Sequence, residues 1–469
     1  MIRNYFNLLL KYAVCAGVLV SCKNNLSEGN QTAYFGGEVE NPASRFILFC
    51  KDGAVLDTIP LKKDNTFLRK FDTLPAGLYS FKNEPEYQYV YFDQNDSIMV
   101  HIDSNNFDES IVFCGRGGEK NNFLIDMFLK NEKDKNEVFK AFDLNFKGFN
   151  DKIDTLYTEN FKFYNDKKEE LNWTSDFDTY ADALIKLPYY SKKEIYPVLH
   201  KFRTGNDAFV DLPSNYYSFR KDLDLNNEQL MHFSPYTTYI NMMLTNISSL
   251  KYHNHLSEVD VALRTSVNKL KSANLLIKNE KVKNSVVNNI AFQYLLEDQN
   301  MVHVQEFLSV YKKISTDNSK KNEIRNLGNS MQLLTVGKKL PNITLVDFEG
   351  KKIELNNIVN SKTVFFFWTE NLKSHFNEAH KKAINFQKMH PDFKFISINV
   401  DVNNSKWKSI IAESNYPDIK EFHCNNFDDL KTKWAITKVH RTIIVDKNLT
   451  ILNGFSNIFD LNFEKELSQ

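Results

Sequence analysis

The sequence predicts a multidomain chain: an amino-terminal antiparallel β-sandwich, a central α-helical region and a carboxy-terminal α/β domain. Three observations predict it. Short apolar runs separated by turn residues fill 34–115. Apolar residues at helical spacing then run from Asn121 to about Leu334. After Val336, strand-like runs alternate with helix-like stretches, which implies a sheet with at least one parallel crossover.

The β region is read from its punctuation. Arg45 to Cys50 is mostly apolar, Asp52-Gly53 is a turn signal, and Val55 to Leu61 reads as the next strand. Lys63-Asp64-Asn65, Pro75-Ala76-Gly77 and Gln94-Asn95-Asp96 mark further turns. Between and after them sit strand candidates at Leu78 to Lys82, Tyr87 to Phe92 and Ser97 to Ile102. Strands this short and this regularly spaced suggest a sandwich. The glycine cluster at Gly115-Arg116-Gly117-Gly118 could cradle phosphate at a helix start. It lacks the lysine and hydroxyl of a P-loop, so it reads as an exit from the last strand.

In the helical region Phe123, Leu124, Met127 and Phe128 share one face, as do Val282, Val286, Val287, Ile290, Ala291 and Leu295. Val302, Phe307, Leu308 and Tyr311 continue the pattern after a break at Asp298-Gln299-Asn300. No fixed-period repeat is visible. Tyr189, Tyr190, Tyr196, Tyr216, Tyr217, Tyr236 and Tyr239 crowd one stretch. Tyrosine suits a binding surface for glycan or peptide, and equally suits packing between helices; both readings stay open here.

In the carboxy-terminal region Ile343 to Phe348 reads as a strand followed by the turn Glu349-Gly350-Lys351. Lys362 to Trp368 is apolar without alternation, as in a central strand covered on both faces. Lys373 to Met389 is helix-like, Phe393 to Asp401 a strand, Phe427 to Trp434 a helix, and Thr442 to Asp446 a strand entering a turn.

Composition narrows the function classes. The chain has 469 residues, 59 basic and 59 acidic side chains, and 13% aromatic residues. A balanced charge leaves no electrostatic footprint for nucleic acid, and none is expected as a partner. Aromatic content this high supplies real cores. No G-x-S-x-G, H-E-x-x-H or EF-hand pattern is present, and no cofactor is expected. His375, Glu378 and His380 share one helix, but positions five apart do not share a face well; His253 and His255 beside Tyr252 lack partners. No metal site is expected.

The amino terminus reads as a processing signal. Arg3 and Lys11 supply positive charge, and Tyr12 to Val20 is apolar but too short to span a bilayer. It ends in Leu19-Val20-Ser21-Cys22, which resembles the lipobox of bacterial lipoproteins. That resemblance implies cleavage before Cys22, diacylglycerol on its thiol and an acyl chain on its amine, so that the chain meets a membrane through lipid on Cys22. Lys23 stands where an aspartate would favour inner-membrane retention, which leans toward the outer membrane. The expected divisions are a signal peptide over 1–21, a tether over 22–33, the β-sandwich over 34–115, the helical domain over 116–335 and the α/β domain over 336–469.

Two stretches resemble known families. Gly77-Leu78-Tyr79 with Phe92-Asp93-Gln94-Asn95-Asp96-Ser97-Ile98 resembles a β-rich domain of unknown function that often precedes thioredoxin-like domains in exported proteins of Gram-negative bacteria. Residues 336–469 resemble the thioredoxin-like superfamily, in its exported thiol–disulfide oxidoreductase and peroxiredoxin-related branch. Gly337, Pro341, Asp347 and Gly350 match its opening, and Phe367-Trp368 matches the strand end that precedes its active site. The resemblance implies a Cys-x-x-Cys opening the next helix, whose dipole and free amides lower the first thiol's pKa. Counting from Trp368, those positions fall on Leu372 and His375, and no cysteine lies between Cys114 and Cys424. The family's cis-proline falls on His440, where a cis bond would cost about 2.5–4 kcal/mol, so a trans bond is expected.

The expected function is therefore a cell-envelope lipoprotein on the periplasmic side whose thioredoxin-like domain binds a protein or peptide without catalysis. The expected groove comprises Trp368, Leu372, Lys373, Ser374, His375, His440 and Arg441, and its basic character would favour an acidic partner. The alternative is thiol or peroxide chemistry through the lone Cys424, which follows His423. Of five cysteines, Cys50 and Cys114 are the other two expected to survive processing and lipidation, with their pairing open.

Overall fold

The computed structural model describes residues 32–42, 44–83, 86–249, 258–297, 301–370, 372–401, 406–414, 416–424, 426–436, 439–460 and 462–468. The signal segment, Cys22, Tyr252, His253, His255 and Asp298-Gln299-Asn300 lie outside the described residues. The chain forms two compact units that meet in sequence at Asn246 and Ile247. The helical stretch expected over 116–335 contributes helices to both.

The first unit opens with β1 (Ala33–Glu40), β2 (Phe46–Lys51), β3 (Ala54–Pro60), β4 (Thr66–Phe71), β5 (Gly77–Asn83), β6 (Glu86–Phe92), β7 (Ser97–Asp103), the one-turn α1 (Phe107–Ser110) and β8 (Val112–Arg116). The strands form two four-stranded sheets, β4-β1-β7-β8 and β3-β2-β5-β6. Pairing is antiparallel except between β1 and β7, which run parallel with Tyr34 opposite Ser97. That pair departs from the expected all-antiparallel arrangement. Parallel neighbours need a long connection, and β2 to β6 supply it. Phe35, Phe49, Phe67, Tyr79, Phe81, Phe92 and Phe113 fill the core, with Phe35 within 6.0 Å of four other rings.

Gly117 has φ +94, and an added Cβ there would lie 2.4 Å from the Asp96 carboxylate. Asp96 and Asp93 both pair with Lys120, at 2.8 and 2.5 Å. The glycine cluster thus packs against a carboxylate of its own chain, which is the structural reading and not a phosphate cradle. Helices α2 (Gly118–Ala141), α3 (Phe146–Leu171) and α4 (Ser175–Thr204) follow, then two 3-10 turns and α5 (Ser234–Ser249). Asn145 and Thr174 cap α3 and α4 by accepting from Gly148 and Phe177 amides, and Asn172 and Gly205 end them in left-handed conformation.

The crowded tyrosines turn inward. Tyr196, Tyr216 and Tyr236 donate to the carbonyls of Leu144, Lys193 and Asp224 at 2.8–3.1 Å. Tyr239 donates to Glu194 at 3.4 Å, and Arg220 grips that fully buried carboxylate with two 2.7 Å bonds. Interior rings need a partner for their hydroxyls, and these carbonyls and carboxylates provide it.

The second unit contains α6 (Glu258–Leu276), α7 (Glu280–Glu297), α8 (Met301–Ile314) and α9 (Asn318–Leu333), then the α/β region. Its elements are β9 (Thr344–Val346), β10 (Lys352–Glu354), β11 (Lys362–Trp368), α10 (Lys373–Met389), β12 (Phe393–Asn399), α11 (Trp407–Glu413), β13 (Lys420–His423), α12 (Phe427–Lys433), β14 (Arg441–Val445), β15 (Ile451–Asn457) and α13 (Phe463–Leu467). The seven-stranded sheet has the order β10-β9-β13-β12-β11-β14-β15. β11, β12 and β13 are parallel, and β14 and β15 return antiparallel. The β11–α10–β12 unit supplies the parallel crossover expected within 336–469, and the β14–β15 hairpin and the closing α13 are elements the sequence reading did not name. β11 is buried on both faces: Val364 and Phe366 pack with Ala379 and Phe395, while Phe365 and Phe367 meet Trp434 at 5.3 and 6.1 Å. Among the described residues no helix is long and apolar enough to cross a membrane.

Candidate functional site

The site expected from the sequence falls where β11 hands over to α10. Trp368 is the last residue of β11 and fully buried; it packs 4.6 Å from Phe376, in one cluster with Trp407. The start of the link to α10 is tied down by Asp401, two residues past β12. Asp401 accepts from the Thr369 hydroxyl at 2.5 Å and from the Glu370 amide at 2.8 Å. Asn399 donates to the same carboxylate at 2.7 Å, and His423 Nδ1 bonds Asn399 at 2.8 Å. This chain of polar groups holds the link by strand-end residues that are themselves packed.

Leu372 is the N-cap residue of α10, with no side chain capping the helix. Its carbonyl accepts from the Phe376 amide at 2.9 Å. The side chains of Lys373 and Ser374 lie outside the described residues. One turn on, His375 meets His440, with ring centroids 4.6 Å apart and planes at 71°. Phe459 closes against both rings, at 5.3 and 6.0 Å. Both nitrogens of His375 are buried with no hydrogen-bond partner. Burial, then His440 and His380, push its pKa down to about 4, so it is neutral at pH 7. His375 and His440 therefore meet one turn from Leu372, three positions onto which the family resemblance counts two cysteines and a proline.

Arg441 turns away from that neighbourhood. Its guanidinium donates to the Gly454 carbonyl at 3.1 and 2.8 Å and to the Ala435 carbonyl at 2.6 Å, stacked 4.1 Å from Phe455. Burial lowers its pKa to about 9, which leaves it a cation at neutral pH. Its charge is used inside the domain. With His375 neutral as well, two of the four basic residues read from the sequence, His375 and Arg441, do not offer a charge at the head of α10.

Solved thioredoxin-like structures match part of this chain. The thioredoxin domain of a thiol-disulfide oxidoreductase from Bacteroides vulgatus is 18% identical, covers 29% of this chain and 96% of its own, and gives a TM-score of 0.25. A thiol:disulfide interchange protein from Bacteroides sp. is 20% identical over 26% of this chain and 80% of its own, with a TM-score of 0.23. A thioredoxin-like protein from Bacteroides caccae ATCC 43185 is 15% identical over 60% of this chain and 93% of its own, with a TM-score of 0.35. No family model and no curated protein matches the chain.

Cys424 stands elsewhere. It is 1% exposed, its amide donates to the Asn399 carbonyl at 3.0 Å, and its thiol donates to the Asn426 carbonyl at 3.2 Å. Burial pushes the thiol's pKa up. A thiol held protonated and enclosed is a poor nucleophile. Cys50, Cys114 and Cys424 are not joined in a disulfide.

His375, Glu378 and His380 do not converge. Glu378 pairs with Lys381 at 2.8 Å. His380 is fully buried and bonds the Phe376 carbonyl at 2.7 Å, Glu421 at 2.8 Å and Ser397 at 3.2 Å. Among the described residues no group of three or more His, Cys, Asp or Glu could hold a metal ion. The His380–Glu421–Ser397 cluster escaped the sequence reading. It is no hydrolytic triad, because serine and carboxylate meet the same ring nitrogen and the cluster is closed to solvent. Its role is to pin α10 to β12 and β13.

Proposed function

We propose that this chain is a lipid-anchored protein of the cell envelope whose thioredoxin-like domain binds a protein or peptide and does not exchange disulfides. The observation that carries the reading is the head of α10, where His375 meets His440 and no thiol is present; the sequence resemblance counts the family's two cysteines onto Leu372 and His375 and its proline onto His440. Leucine cannot attack a disulfide, and a neutral imidazole offers no thiolate in its place. What remains at the head of α10 is the ring cluster of His375, His440 and Phe459, one turn from Leu372. An extended segment can pair there with backbone beside His440, a mode that requires no thiol. With Arg441 committed to internal carbonyls and His375 uncharged, this reading favours a neutral, partly apolar partner over an acidic one.

The anchor is part of the proposal: lipid on Cys22, a short tether, and placement on the periplasmic side, at the outer membrane more than the inner. Labelling with radioactive palmitate should mark the chain, and Cys22→Ala should remove both label and membrane sedimentation.

The reading is tested by insulin reduction and peroxide consumption with the full mature chain, beside crosslinking and pulldown from intact envelopes. The expected result is no turnover and recovery of a specific partner that Leu372→Asp or His440→Asp releases. Turnover that disappears in Cys424→Ser would overturn it and establish the lone cysteine as a redox centre.

A further inference from the structure

The first unit carries a cavity of about 490 Å³ between β6 and helices α2, α4 and α5. Consecutive residues 86–89 of β6 line it, together with Phe128, Leu184, Pro188 and Phe233. β6 is an edge strand, since the sheet order ends β5-β6. An edge strand presents a row of backbone donors and acceptors on its outer side.

At one point that row is answered by a side chain. The Tyr91 amide donates to Asn121 Oδ1 at 2.6 Å, and Asn121 Nδ2 donates back to the Tyr91 carbonyl at 2.9 Å. This two-way exchange is what a neighbouring antiparallel strand would make. The period of two puts the backbone groups of Tyr89 and Tyr87 on the same outer edge. There the Tyr89 amide donates to the side chain of its neighbour Gln88 at 2.8 Å, a local contact that a competing carbonyl can displace. The edge beyond Asn121 therefore opens directly onto the cavity.

The walls add chemistry. Tyr89 meets Phe233 at 5.3 Å, and its hydroxyl accepts from the Ser234 amide at 3.0 Å, which fixes one wall to the strand. Pro188 supplies no N–H to the Leu184 carbonyl one turn earlier in α4, so an acceptor beside the cavity lacks its helical donor. Glu86 and Asp108 line the cavity, and among the described residues no lysine, arginine or histidine does. Burial first, then Glu86 and Glu109, raise the Asp108 carboxyl above the ordinary carboxylate range, which marks a site short of positive charge.

We propose that this cavity binds an extended peptide that adds a strand to β6 at Tyr87 and Tyr89, setting a basic side chain against Glu86 and Asp108 and apolar side chains against Phe128, Leu184 and Phe233. The backbone row selects a peptide over a glycan, because a sugar cannot match its repeat of alternating donors and acceptors. The uncompensated carboxylates select a basic sequence. This site is separate from the residues at the head of α10.

The test uses the full mature chain and a fluorescein-labelled octapeptide of alternating lysine and valine, read by anisotropy. Saturable binding is expected. It should weaken at least tenfold for a probe N-methylated on alternate residues, which keeps charge and side chains but removes strand pairing. Glu86→Gln with Asp108→Asn, and separately Leu184→Trp, should each weaken it by a similar factor with an unchanged circular dichroism spectrum. An N-methylated probe that binds within twofold, displacement of the peptide by a neutral hexasaccharide, or no binding at millimolar probe would overturn the proposal.

Discussion

At the residue scale, His375 shows how a changed side chain reshapes a site by its charge state. Its folded pKa is near 4, against an ordinary value of 6.5. Between those values the unfolded chain binds the extra proton. Stability is therefore fully present above pH 6.5, falls as pH drops toward 4, and levels below. The ring is only partly buried, and screening by solvent holds the loss to about 1 kcal/mol. Urea midpoints at pH 7, 5.5 and 4 should show this slope, and His375→Phe should flatten it; parallel slopes would mean the ring is not the titrating group. Cys424 gives a second residue-scale prediction. With its thiol buried, bonded to Asn426 and raised in pKa, it should react with a chromogenic disulfide reagent only as fast as the unit opens. Rapid labelling of the folded chain, within seconds, would contradict that burial.

At the element scale, buried charge fixes how helices meet. Glu194 of α4 has a side chain with no exposure and is held by both prongs of Arg220, with Asn246 donating at 3.0 Å. Removing one partner of such a pair leaves an uncompensated buried charge, at a cost of about 3–5 kcal/mol. Arg220→Met should lose stability on that scale in chemical denaturation, and Arg220→Met with Glu194→Leu should regain most of it. Equal losses in single and double variants would show that packing, not charge, carries the contact. Elements with strong local pattern were legible in the sequence. β11 spans Lys362–Trp368 and α10 spans Lys373–Met389, the bounds their apolar run and helical spacing indicate. β13 escaped because Lys420 and Glu421 break the apolar pattern in a strand of four residues. β1 escaped because Gly36 and Gly37 weaken a strand reading, although Phe35 and Val39 are fully buried. The β1–β7 parallel pair and the His380–Glu421 contact join residues far apart in sequence, and no local spacing reports either. Of the candidate site, the meeting of His375 with His440 agrees with their pairing in one family pattern. The inward turn of Arg441 was not legible, since it depends on where the carbonyls of Ala435 and Gly454 fall.

At the scale of the whole molecule, the chain holds two units with separate cores, one built on two four-stranded sheets and one on a seven-stranded sheet with its preceding helices. Within the second unit helix and sheet are bound closely: Ser330 of α9 donates to the Thr432 carbonyl of α12, and an added Cβ on Gly454 would lie 2.4 Å from the Leu334 carbonyl. The helices before residue 334 should therefore melt with the sheet that follows them and not with the helices of the first unit. The tryptophans make this measurable. Trp173 lies in the first unit; Trp368, Trp407 and Trp434 lie in the second. Trp173→Phe leaves fluorescence as a probe of the second unit alone, while far-ultraviolet circular dichroism follows both. Units with separate cores need not share one cooperative transition. Urea unfolding of the Trp173→Phe chain should give a fluorescence midpoint that matches only one of two steps in the dichroism. Gly454→Ala should shift that step and leave the other in place, because it disturbs a contact wholly inside the second unit. A single step shared by both signals, moved as a whole by Gly454→Ala, would show that the two cores unfold as one.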